Sequence, residues 1–177
     1  MRINNNKIRQ KTIMKFIYNL FCLFLILTLS SCSYVSTSPY LKHIKSITIP
    51  RVTIEDPELG YEYEDVITEQ LRDTFSSKWR EGDDSILTVT VKDYKIVPIA
   101  FDATNNPEQL RMSLVVDYTF EDRVKNKIID RRTDYTYNYD FYTVEGKGEP
   151  PETIPTATKR MIEGFCRDLF GNLAEQW

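Results

Sequence analysis

Between Gln109 and Asp122 apolar side chains fall on every second position. Leu110, Met112, Leu114, Val116, Tyr118 and Phe120 share one face, and Arg111, Ser113, Asp117, Thr119 and Glu121 the other, with Val115 as the exception. A period of two is that of a strand with one face buried. Ile128 to Tyr142 repeats it: Tyr135, Tyr137, Tyr139 and Phe141 lie opposite Asp134, Thr136, Asn138 and Asp140, and Lys125-Asn126-Lys127 predicts the turn between the two strands. Ile86 to Val97 alternates at Leu87, Val89 and Val91, then slips phase to Tyr94 and Ile96, which one extra residue at Lys92-Asp93, a β-bulge, would produce. The β-branched run Ile44 to Ile49, stopped by Pro50, predicts a first strand.

Two segments carry the helical period instead. Tyr63, Ile67, Leu71, Phe75 and Trp79 are four apart, Val66 widens the stripe, and acidic residues crowd the first turns, where the helix dipole favours them. After the glycine- and proline-rich loop Glu145 to Pro151, Ile154, Ala157, Met161, Phe165, Leu169 and Leu173 form a second stripe, with Thr153 or Thr156 as its cap. The predicted order is β-α-β-β-β-α. A helix between the first two strands implies a parallel pair, and the later hairpins imply antiparallel ones. The fold class is therefore α/β (α+β): a two-layer sandwich with a four-stranded mixed sheet and two helices packed on one face. Leu71, Phe75, Leu114, Val116, Phe165 and Leu169 should share one core.

The N-terminal pattern is of another kind. Arg2, Lys7, Arg9, Lys11 and Lys15 precede an apolar run from Phe16 to Leu29, with no acidic residue before it. The run is shorter than the roughly 20 residues a spanning helix needs, and a basic start with a short apolar middle describes an export signal. Leu29-Ser30-Ser31-Cys32 resembles the lipobox of bacterial lipoproteins, in which the cysteine becomes the acylated first residue. The alternative is an ordinary signal with a chance cysteine. The expected organisation is a lipoprotein signal over 1–31, a lipidated N-terminus and tether over 32–42, and one domain over 43–177, with Met1 or Met14 as the start. Ser33, where enteric bacteria place an acidic residue for inner-membrane retention, favours the outer membrane.

Removing residues 1–31 leaves 146 of the 177 residues, a single domain of ordinary size. That segment takes five of the 23 basic residues and none of the 26 acidic ones, so the remainder holds 18 against 26, a formal charge of −8. Such a surface argues against nucleic-acid binding, and leaves anionic lipid to be met only by local basic patches. Cys22 leaves with the signal and Cys32 is acylated, so Cys166, on a helical stripe, has no disulfide partner and reads as a buried thiol. His43 is the single histidine, which removes histidine-rich metal sites and the usual triad base. Phosphate-loop, paired-cysteine and nucleophile-elbow motifs are missing. Asp83-Asp84 and Glu121-Asp122 fall at expected turns, where solvated carboxylate pairs are common. No catalytic residue, metal site or cofactor is expected.

The stretches "IKSITIPRV" (44–52), "LTVTVKDYKIVPIAFDA" (87–103) and "LRMSLVVDYTFED" (110–122), with the start "CSYVSTS" (32–38), resemble the LptE family of lipopolysaccharide-assembly lipoproteins, in the form found in Bacteroidetes-like bacteria. The resemblance covers nearly all of the chain after the signal. It implies a noncatalytic partner of an LptD-type outer-membrane β-barrel, seated largely in its lumen, with lipopolysaccharide as a possible ligand. The alternative is a periplasm-facing envelope lipoprotein that binds another protein or a glycan.

The residues add candidate contacts. Arg111, Lys125, Lys127, Arg131 and Arg132 fall around one predicted hairpin, and arginine and lysine donate to phosphate oxygens. The plain alternative is solvated hairpin charge, alternating with Glu121, Asp122 and Asp130. The tyrosine row reads as core for most of its members and as interface near Tyr142, where an amphipathic ring suits a barrel wall or a sugar.

Overall fold

The computed structural model describes residues 41–175. The signal, Cys32 and the tether up to residue 40 lie outside the described residues. Within them run β1 (Ser46–Thr48), β2 (Thr53–Ile54), α1 (Tyr63–Ser76), β3 (Arg80–Phe101), β4 (Pro107–Asp122), β5 (Lys127–Tyr142) and α2 (Ile154–Phe170), followed by a π-helical turn, Gly171–Glu175. The sheet order is β1-β3-β4-β5, and β2 also pairs with β3. β1 and β2 are parallel to β3, and the β3–β4 and β4–β5 pairs are antiparallel.

The first strand expected over Ile44 to Ile49 is present as β1, and a second short piece, β2, follows beyond Pro50. Pro50 has no amide to give the ladder, so pairing stops before it and resumes at Thr53. Both pieces sit on the same edge of β3, so a fifth strand is gained without widening the sheet. Side chains of α1 bond the backbone of this interrupted edge. The Thr68 hydroxyl accepts from the Val52 amide at 2.9 Å, Glu64 accepts from the Ile54 amide at 3.2 Å, and Arg72 donates to the Ile49 carbonyl at 2.9 Å.

The bulge lies where the alternation slips. Val91 pairs with Val116 and Asp93 with Val115, leaving Lys92 as the extra residue, so Tyr94 takes over the buried face. β3 begins at Arg80, earlier than Ile86, so Asp83-Asp84 stands inside a strand rather than at a turn. Asp122 also departs from expectation: it is buried, because it accepts from both His43 Nε2 (2.5 Å) and the Lys125 amide (2.9 Å).

One core joins the layers. Leu71, Phe75, Leu114, Val116, Phe165 and Leu169 are all fully buried in it. Phe75 stacks on Trp79 at 6.0 Å, and Trp79 meets Phe120 at 5.7 Å. Thr153, in extended backbone, caps α2 by accepting from the Thr156 amide. Two expected stripe members lie outside the core. Val66 and Ile154 are exposed, because the buried arcs centre on Ile67 and Ala157, and Val66 and Ile154 fall at the margins. Gly164 allows α2 to close on β5: a Cβ there would stand 2.1 Å from the Tyr137 hydroxyl oxygen.

Candidate functional site

With the apolar stripes turned inward, the other face of β3, β4 and β5 is left half-exposed to exposed along its length. The register sorts it into cross-strand rows. Arg111 meets Asp140 through two hydrogen bonds, 2.7 and 2.8 Å. The Ser113 hydroxyl donates to Asn138 at 2.7 Å, and Val115 lies opposite Thr136. Asp117 accepts the Asp134 amide at 2.9 Å, and Arg131 donates to Thr119 at 3.3 Å. Thr88 and Thr90 continue the last two rows onto β3. The Asp134 contact holds a second bulge, in β5, where Asp134 takes a φ of 55°. The hydrogen bond and charge of Arg111 hold the Asp140 carboxyl below the usual carboxylate range. Small hydroxyl and amide side chains between paired charges make these rows polar, a surface suited to a wet protein or glycan contact.

The face ends in a rigid tip. In the β3–β4 loop the Asp102 carboxylate accepts from the amides of Thr104 and Asn106, from the Thr104 hydroxyl and from the Asn106 side chain. These donors, led by the Asn106 amide, pull its carboxyl down to about 2. Val97, Ile99 and Phe101 are exposed on the strand leading into this loop.

The proposed basic contacts do not form one group. Arg111 lies near the tip, opposite Asp140, whereas Lys125 and Lys127 lie at the β4–β5 turn, where Asp122 pairs with Lys127. Arg131 belongs to the open face through Thr119. Arg132 lies opposite Tyr118, over the Tyr135 ring and 3.7 Å from Asp130. Tyr142 is half-buried at the end of β5, across from Gln109, and its carbonyl accepts the Glu152 amide at 2.8 Å. The rest of the tyrosine row packs on the core, with hydroxyls at its edge: Tyr135 donates to Asp168 and Tyr139 to Glu152.

Two structural roles escaped the sequence. His43 reaches Asp122, and Glu152 accepts both Tyr139 (2.8 Å) and Arg160 (2.6 Å) ahead of α2. Only the last carried a signal, an acidic residue at a helix start. Cys166 is buried as expected, and burial pushes its thiol up to about 12. Among the described residues no three metal-ligating side chains stand together, and no helix is long and apolar enough to cross a membrane. A shallow groove of about 390 Å³ between β1 and α1 carries Glu69, Asp73 and Glu81, and its Arg72 is already engaged by the Ile49 carbonyl.

Comparison with known proteins identifies the kind of protein that carries this face. No curated protein matches the chain. Among solved structures it is similar to lipoprotein B from Nitrosomonas europaea (11% identity, 73% of this chain and 84% of that one, TM-score 0.46). It is also similar to the rare lipoprotein B of Shewanella oneidensis (10%, 70% and 93%, 0.41) and to a minor lipoprotein of Acinetobacter baumannii (17%, 70% and 86%, 0.40). At these values the assignment rests on the family match, which runs over residues 44–176 and is described as lipopolysaccharide-assembly. The chain belongs to the LptE family of lipopolysaccharide-assembly proteins.

Proposed function

We propose that this chain is an outer-membrane lipoprotein, acylated at Cys32, that partners an LptD-type β-barrel in lipopolysaccharide assembly without catalysing a reaction itself. The observation that carries the reading is the open sheet face. Its polar rows are left uncovered while the stripes that pack sheet against helices are buried, and the exposed Val97, Ile99 and Phe101 stand only toward the tip. A barrel lumen is polar, so a protein seated in it needs an outer surface of this kind. Arg111, Arg131 and Tyr142 are the residues of the basic and aromatic set that reach this face, and Asn138 and Thr136 lie between them.

A photo-crosslinking residue placed at Thr136 or Thr88 in cells should capture a large outer-membrane β-barrel protein. Recovery of soluble periplasmic proteins or peptidoglycan alone would overturn the reading in favour of another envelope partner. For the anchor, intact-mass analysis of membrane-extracted protein should show a chain beginning at Cys32 with acyl chains on it. An unmodified Cys32 in membranes would refute lipidation.

A further inference from the structure

The β4–β5 turn has a composition the fold does not require. Turn chemistry is supplied by Asp122, which accepts the Lys125 amide, and by Asn126, whose φ is 50°. Val124 and Ile128 contribute to neither, yet they are 59% and 43% exposed, in the run Arg123-Val124-Lys125-Asn126-Lys127-Ile128. Two exposed aliphatics set among three cations suit an interface that is apolar beneath and anionic at its surface.

The chain's path indicates which interface. His43 bonds to Asp122 beside this turn, and the Lys45 amide bonds to Asp84, whose carbonyl accepts the Arg123 amide. The described residues therefore begin at the end of the sheet that carries the turn, with exposed Lys42 and Lys45 alongside. Only the residues between Cys32 and Leu41 separate that end from the lipidation cysteine, a span of at most about 30 Å when fully extended. Of the acidic groups nearby, Asp83 lies 3.6 Å from Arg123, Asp84 accepts the Lys45 amide and Asp122 accepts from His43, while half-buried Glu121 lies across from Ile128.

We infer that the β4–β5 turn, with Val124, Lys125 and Ile128 at its centre, meets the anionic phospholipid headgroups of the leaflet that holds the lipid anchor. This inference rests on the acylation of Cys32 proposed above. It gives the molecule an orientation, with the turn toward the membrane and the Asp102 tip away from it.

The test uses the full-length acylated protein in vesicles of phosphatidylethanolamine and phosphatidylglycerol containing headgroup spin-labelled lipid. A fluorophore is attached at Val124→Cys or, at the far tip, at Ala103→Cys. Buried Cys166 does not compete for the label. The probe at position 124 should be quenched and the probe at 103 should not. Exchanging phosphatidylglycerol for phosphatidylcholine, or adding Lys125→Glu, should cut the quenching at 124 several-fold. Equal quenching at both positions, none at 124 on protein that floats with the vesicles, or quenching indifferent to lipid charge would each overturn the inference. Protein that fails to float would instead refute the Cys32 anchor, and the orientation with it.

Discussion

Phe165→Ala is expected to lower the stability of the folded chain by about 3–5 kcal/mol, measured by chemical denaturation. Phe165 is fully buried on α2, with the Tyr135 ring 6.4 Å and the Tyr137 ring 6.3 Å away on β5. Removing it opens a cavity where helix and edge strand meet. Close packing at Gly164, one residue before, is set against Tyr137, so the backbones have little freedom to collapse into the gap. Domains of this size are stable by only about 5–15 kcal/mol, so the loss is a large fraction of the total. Arg111→Ala, on the other face of the sheet, should leave the melting temperature near its parent value, because exposed ion pairs contribute little. An unchanged midpoint for Phe165→Ala would mean that α2 does not pack on β5 as described.

Asp122→Ala should cost about 1–3 kcal/mol at neutral pH, because the turn amide and His43 lose a buried acceptor. The cost should depend on pH in a defined direction. Burial alone would raise the Asp122 carboxyl, but the Lys125 amide and His43 outweigh it and hold it below the usual carboxylate range. A carboxyl depressed in the folded state contributes its stability above its unfolded value, about 3.9, and loses it as pH falls through the folded value. The gap between parent and Asp122→Ala in urea midpoint should therefore be full at neutral pH and shrink in acid below about pH 4. A gap that widens on acidification would contradict the assignment.

Periodicity made much of this architecture legible in advance. The alternation of β4 placed Leu114 and Val116 inward, and the slip at Lys92-Asp93 located the bulge, because a strand's phase is written in every second residue. The second piece of the edge strand was not legible, since β2 has two residues, too few to show a period. The burial of Asp122 was hidden for another reason. Its partner His43 lies 79 residues away, and the local sequence marks Asp122 as one of a solvated pair at a turn. The grouping of Arg111, Lys125, Lys127, Arg131 and Arg132 around one hairpin does not hold, because nearness in sequence is not nearness along a long ladder. Arg111 and Lys125 are close in sequence, yet a strand of 16 residues carries them to opposite ends of the sheet, which only the register reveals. Val66 and Ile154 were misplaced because a stripe's margin is set by what packs on it.

The parallel pairing of β1 and β2 with β3 has a mechanical consequence. Tension applied to the N-terminus pulls back along the axis of β1, so the bonds of that short ladder are sheared together rather than unzipped one after another. Before the ladder feels the force, it reaches His43–Asp122 and the Lys45–Asp84 bond, which fasten the entry point to β4 and β3. Resistance to forced unfolding follows the rate of leaving the native state. A body pulled from its N-terminal end is thus guarded by a few polar bonds at the point of entry, and His43→Ala should make it give way at lower force under a pull from residue 41.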